Sequence, residues 1–131
     1  SGNIGQVAKI AALCGDELNI YSGNDDQVVP MMSLGAKGVI SVVSNILPEV
    51  MVQMSHLCLE GKFEEAAKLQ IDYIDLSNAL FMEVNPIPVK AAMDMMGLCS
   101  GNLRLPLCEM TPEHHVALRE VLTSYGIPLK N

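Results

Sequence analysis

The stretch GAKGVISVVSN, Gly35–Asn45, decides how the rest of the sequence is interpreted. Two glycines precede an apolar run in which Val39, Ile40, Val42 and Val43 are interrupted by a single serine. A strand with one face in water would alternate polar and apolar residues, and this run does not. The pattern therefore predicts a strand that is covered on both faces.

Strand and helix patterns alternate on either side of this stretch. A second short strand is predicted over LNIYSG, residues 18–23, and helices over residues 3–14, 25–35 and 47–61. Asp25 and Asp26 suit the start of the middle helix, because carboxylates accept hydrogen bonds from the free amides of a first turn. Short strands separated by a helix predict an α/β arrangement with a parallel sheet covered by helices.

Only helical patterns follow Gly61. One long amphipathic pattern covers residues 62–84, and a further helix follows the segment NPIP. A last helix has Thr111 as its natural N-cap and Gly126 as its stop. We therefore expect an α/β part in residues 1–61 and an all-helical part in residues 62–131.

Charge and composition exclude several classes of partner. The chain has 15 acidic and 8 basic residues, which disfavours binding to nucleic acid or to an anionic membrane. No apolar stretch approaches the roughly 18 residues of a membrane span, and the N-terminus lacks the features of a secretory signal. The cysteines, Cys14, Cys58, Cys99 and Cys108, show no CxxC pair and no zinc-ligand spacing. We expect reduced thiols in a cytoplasmic protein, with a disulfide framework as the alternative.

The α/β part is too small to form a parallel sheet by itself. Two strands leave backbone edges unpaired, and an eight-stranded barrel needs about 250 residues. We therefore expect the chain to be the C-terminal part of a larger protein.

Four motifs carry a resemblance to a known family: YSGNDD, GAKGVISV, NPIPVK and LRLPLCEM, in that order. Along its length the chain resembles the C-terminal half of the dihydrodipicolinate synthase family, also called the 4-hydroxy-tetrahydrodipicolinate synthase family. These are members of the pyruvate-dependent class I aldolase superfamily. The resemblance implies that residues 1–61 supply the last two strands and helices of a (β/α)₈ TIM barrel. Residues 62–131 would then form an all-helical C-terminal domain.

The resemblance also implies how pyruvate is bound, with no cofactor. Family members form a Schiff base between pyruvate and a lysine that is expected three residues before Ser1. No catalytic residue is therefore expected within this chain. Ile40 matches a residue that contacts pyruvate through its main chain, and a plain isoleucine of the barrel interior is the alternative.

The turn Ser22–Asp26 is expected at the mouth of the barrel, next to the second substrate. Gly23 permits close approach of the backbone, while Asn24 and Asp25 could hydrogen-bond that substrate or the loop itself. Many relatives carry an aspartate at the position of Asn24, so the asparagine weakens a carboxylate role there. Helix capping by Asp25 or Asp26 is the alternative, and no metal site is expected, because the stretch offers too few oxygen ligands.

The function implied is condensation of pyruvate with aspartate semialdehyde, in lysine biosynthesis through diaminopimelate, by a homotetramer. An N-acetylneuraminate lyase or a 2-keto-3-deoxy-sugar aldolase of the same superfamily is the first alternative. A non-catalytic oligomerisation fragment is an alternative of another class. The six lysines lie on predicted polar faces, in a turn, after NPIP or near the terminus, so none is expected to form the Schiff base and the isolated chain is expected to be inert.

Overall fold

The computed structural model describes residues 2–130 and divides into two compact units, the first ending at Tyr73 and the second beginning at Ile74. The helices in the described residues are α1 Ile4–Cys14, α2 Val28–Ser33, α3 Pro48–Leu59, α4 Phe63–Asp72, α5 Ile74–Ala79, α6 Ile87–Met95 and α7 Pro112–Ser124. Short 3₁₀ helices cover Gly15–Glu17, Asp25–Gln27 and Val43–Asn45.

The helix ends follow the local chemistry of the sequence. The Asn3 side chain accepts a hydrogen bond from Gln6 N at 3.0 Å and so begins α1, while Gly15 ends it with a φ of 50°. Pro48 opens α3, where a missing amide hydrogen costs nothing. The three helices predicted in the first 61 residues are confirmed in position.

The two predicted strands are much shorter than expected. They are reduced to one parallel bridge between Ser22 and Val39. Ile40 is 77% exposed among the described residues, so they do not cover its side chain, and coverage of the second strand on both faces stays a prediction. A regular strand needs neighbours along its edges, and each segment has only the other as a partner within residues 2–130.

Aliphatic and methionine side chains build the core of the first unit. Helices α2, α3 and α4 pack against one another. Val28, Met54 and Ala66 contribute side chains that are buried almost completely. This packing holds the segments on either side of α2, which carry the candidate site.

The second unit is built on α7, which packs against α5 and α6. The single long helix predicted over residues 62–84 is wrong, because the chain breaks at Tyr73 into α4 and α5. Each half buries its own stripe in its own unit: Ala66 in the first, and Leu76 and Ala79 in the second.

Candidate functional site

Two extended segments of the first unit lie side by side in the same direction. Lys37 N donates to Ile20 O at 2.8 Å, Ser22 N donates to Gly38 O at 2.9 Å, and Ile40 N donates to Ser22 O at 2.8 Å. Donors thus alternate between the two segments, and Ser22 bonds to residues on both sides of Val39, which is the pattern of a parallel ladder. The two segments are joined through α2, so they form one small strand–helix–strand unit.

Ile40 lies where this pairing ends. The Ile40 amide donates to Ser22 O, and the Ile40 side chain is exposed in the part of the chain that the structure describes. Among the described residues no core covers the Ile40 side chain, and the alternative of a plain isoleucine of the barrel interior stays open. The main-chain carbonyl of Ile40 is therefore the polar group of this residue that could meet a ligand.

The turn after the first segment is closed by its own serine. Ser22 Oγ donates to Asn24 O at 2.8 Å and accepts from Asn24 N at 3.1 Å, and Ser22 is fully buried. Gly23 is exposed, and no heavy atom of the described residues would lie within 4 Å of a Cβ at this position. The turn thus presents the Gly23 backbone and the half-buried Asn24 beside Ile40.

Asp25 has a different role from the one that its position predicts. It is 2% exposed, and its Oδ2 accepts hydrogen bonds from Val42 N at 2.9 Å and Val43 N at 3.0 Å. These amides open the 3₁₀ helix Val43–Asn45, so the carboxylate caps a different segment from its own. The predicted capping of the helix that follows Asp25 is wrong, since the 3₁₀ helix Asp25–Gln27 has no side-chain capping bond.

Gln70 of α4 is a site residue that the sequence analysis missed. Its Nε2 donates to the Asp25 main-chain oxygen at 2.8 Å, and its Oε1 accepts from Val29 N at 3.2 Å. Gln70 is buried, like Ala66 one turn earlier on the same helix. The signal was a polar residue on the inner stripe of an amphipathic helix, where only a hydrogen-bonded side chain is tolerated.

None of the chain's lysines lies in a setting suited to covalent catalysis. Five of them are exposed and Lys90 is half-buried. Lys62 forms an ion pair with Glu60 at 2.7 Å, which raises the pKa of the Lys62 amine. Lys130 pairs with Asp94 at 2.8 Å. A Schiff-base lysine needs the opposite setting, one that favours the neutral amine.

The histidines and cysteines of the described residues form no metal site. Within residues 2–130, no group of three His, Cys, Asp or Glu side chains could hold a metal ion. His114 lies against Glu83, with 2.7 Å between Nδ1 and Oε1. The four cysteines are free, and burial raises the pKa of the Cys58 thiol. In the same range, no helix has both the length and the apolar character of a membrane span.

Comparison with known proteins gives one consistent family. Residues 1–125 match the dihydrodipicolinate synthetase family. The chain is 50% identical, over 127 residues, to 4-hydroxy-tetrahydrodipicolinate synthase 1 of Clostridium acetobutylicum, a match that covers 97% of this chain and 43% of the relative.

Solved structures of dihydrodipicolinate synthases superpose on the chain. The dihydrodipicolinate synthase of Aquifex aeolicus has a TM-score of 0.96 at 44% identity, covering 100% of this chain and 45% of that one. The chloride-inhibited synthase of Acinetobacter baumannii, complexed with pyruvate, has a TM-score of 0.93 at 34% identity and covers 98% and 44%. The chain thus spans less than half the length of the relatives that it matches.

Proposed function

Because the chain belongs to the dihydrodipicolinate synthetase family, we propose that it serves as the C-terminal part of a 4-hydroxy-tetrahydrodipicolinate synthase. Such an enzyme is a lyase that condenses pyruvate with aspartate semialdehyde on the route to diaminopimelate and lysine. The observation that carries the proposal is the Ile40 main chain, which lies at the end of a parallel pair and beside the Ser22–Asn24 turn.

The proposed architecture gives each part of the chain a place. Residues 1–61 contribute the last two strands and helices of a (β/α)₈ barrel, and residues 62–131 form the helical domain that follows it. The parallel pairing of Ser22 with Val39 across α2 supports this, because parallel neighbours joined by a helix are the repeating unit of such barrels. Catalytic groups of these barrels lie at the carboxyl ends of the strands, which is where Ile40 stands.

The reaction needs an amine that this chain does not provide. A lysine outside these residues attacks the pyruvate ketone, loses water and forms an imine. Removal of a methyl proton gives an enamine, whose carbon then adds to the aldehyde of aspartate semialdehyde. The lysines of this chain are exposed or half-buried, which supports placing the nucleophile elsewhere.

This chain would hold the substrates through backbone groups. The Ile40 amide already donates to Ser22 O, and pyruvate itself has no hydrogen-bond donor. The Ile40 carbonyl would therefore accept from the nitrogen of the lysine that binds pyruvate. Gly23 and Asn24 meet the second substrate at the mouth. Pyruvate bound to the Acinetobacter baumannii synthase, a structural neighbour over 98% of this chain, supports the choice of first substrate.

Borohydride trapping on the full-length polypeptide that carries these residues tests the proposal. With pyruvate present, we expect the protein to gain the mass of one reduced pyruvate on a single lysine, and to turn over aspartate semialdehyde. A labelled lysine without that turnover would favour cleavage of N-acetylneuraminate or of a 2-keto-3-deoxy sugar, each measured by pyruvate release. Absence of labelling would leave an oligomerisation fragment as the better explanation.

We also propose that the full-length protein is a cytoplasmic homotetramer. The free cysteines support the compartment, because thiols stay reduced in the cytoplasm. Sedimentation of the full-length protein tests the assembly, and a monomer at micromolar concentration would contradict it.

A further inference from the structure

We infer that Asp25 is a positioning residue for the pyruvate site, and that Gln70 of α4 holds Asp25 in place. The inference rests on the proposed function, because it explains how the Ile40 carbonyl is aimed. Neither side chain is assigned a direct contact with substrate.

The segment from Ile40 to Val43 is attached at both ends to one turn. At its start, Ile40 N donates to Ser22 O. At its end, the Val42 and Val43 amides donate to Asp25 Oδ2. Only the peptide group between Ile40 and Ser41 lies between these anchors, and it contains the Ile40 carbonyl. Because the peptide is planar and the amides on both sides of it are held, its oxygen can reorient only by paired rotation about ψ of Ile40 and φ of Ser41, so these anchors restrict the direction of the Ile40 carbonyl.

The carboxylate is suited to this task by its charge and its burial. A hydrogen bond to an ionised acceptor is about twice as strong as a neutral one, and Oδ2 receives two of them at one point. The other oxygen, Oδ1, is buried without a donor from the described residues. Replacing Oδ1 by an amide nitrogen therefore breaks no described bond, so Asp25→Asn removes the charge while keeping the shape.

Gln70 holds the main chain of Asp25, whose side chain bonds the Val42 and Val43 amides. One carboxamide bonds both the Asp25 main chain and Val29 N in the first turn of α2. Rotation of the Asp25 turn would break both bonds in a buried place, where unpaired polar groups are costly. Helix α4, which lies in the same compact unit, thereby stabilises the geometry of the candidate site.

The test uses Asp25→Asn and Gln70→Glu in the full-length protein. Asp26→Asn and Gln53→Glu are matched controls, because Asp26 and Gln53 are exposed and carry the same chemistry. Gln70→Glu replaces the amide donor with an oxygen that repels the Asp25 carbonyl. We expect each test variant to raise KM for pyruvate about tenfold, as loss of a charged or buried hydrogen bond does, and each control to stay within about twofold.

Three further readouts separate positioning from loss of fold. Amide hydrogen exchange in residues 40–45 should speed up about tenfold in both test variants. In Asp25→Asn, KM for aspartate semialdehyde should change much less, because Gln70 still bonds the residue 25 main chain and the Ser22–Asn24 turn stays in place. The double variant should be no worse than the poorer single variant, since the residues act as one unit. If Asp25→Asn does not fold, Gln70→Glu with Gln53→Glu decides the question alone.

Unchanged pyruvate kinetics in a folded Asp25→Asn or Gln70→Glu protein would overturn the inference, and so would equal changes in the controls. Failure of the wild-type protein to trap pyruvate would instead overturn the proposed function. In that case, exchange in residues 40–45 would still report whether Asp25 holds the segment.

Discussion

At the scale of single residues, Glu83 shows how one carboxylate can organise a helix start. Its Oε1 accepts from Thr111 N at 3.0 Å and Thr111 Oγ1 at 2.8 Å, and lies 2.7 Å from His114 Nδ1. Thr111 occupies the predicted N-cap position of α7, but its hydroxyl serves Glu83 and not its own helix. The hydrogen bond with His114, followed by those from Thr111, holds the pKa of Glu83 below its ordinary value of 4.5.

We predict that Glu83→Gln lowers stability at neutral pH and makes it less sensitive to acid. A carboxyl with a depressed folded pKa contributes stability above its unfolded pKa, and that contribution is lost as the pH falls through the folded value. Thermal melting of wild-type and Glu83→Gln proteins from pH 7 to pH 3 should show two curves that converge below about pH 4.5. Glu120→Gln, at an exposed position of α7, is the control. An equal difference in melting temperature at all pH values would show that the loss of stability does not come from the charge of the Glu83 carboxylate.

Sequence patterns point to several residues of the candidate site but not to the contacts that hold them in place. Ile40, Gly23 and Asn24 could be nominated because motif resemblance points to them. Asp25 was nominated too, but its actual partners, Val42 and Val43, are 17 and 18 positions away. Gln70 is 45 positions from Asp25. Pairings at such separations depend on tertiary packing, which local periodicity does not encode.

Among the elements, the positions of most helices and of the two pairing segments were predictable, but the length of the paired segments was not. Helix ends depend on neighbours within one turn, as at Asn3 and Gly15, so local sequence suffices. The composition of Val39–Val43 predicts a buried strand, yet regular strand structure depends on partners along both edges. The break at Tyr73 was missed because the apolar spacing continues through it, although the two halves bury their stripes in different units.

We predict that the inner face of α7 contributes most of that helix's stabilisation. Leu118 and Leu122 are fully buried, whereas Val116 on the same helix is 57% exposed. Leu118→Ala should lower the free energy of unfolding by about 2–5 kcal/mol, because it removes apolar contact and leaves a cavity. Val116→Ala should cost less than about 0.5 kcal/mol. Urea unfolding of both variants measures the difference, and equal losses would show that exposure in this structure does not report packing.

Across the described chain, the contacts that hold the candidate site in place are more complete than the candidate site itself. Ile40, the Ser22–Asn24 turn and their anchors are present and mutually bonded. The paired segments form one bridge within the described residues, where a closed barrel would bond each strand on both edges. The chain also spans only 43–45% of the relatives and structures compared with it. Substrate positioning and the reactive amine are therefore expected in different parts of the protein.

This separation predicts that the 131-residue chain alone will not trap pyruvate. A lysine amine attacks a ketone readily only where its surroundings favour the neutral form, and none of the six lysines is buried. Intact mass after treatment with pyruvate and borohydride should be unchanged for the chain. The full-length polypeptide, treated in parallel, should gain one reduced pyruvate. Borohydride without pyruvate is the control for both proteins. A stable adduct on one of this chain's lysines, at a pyruvate concentration that labels the full-length protein, would place the nucleophile within these residues and contradict the mechanism proposed here.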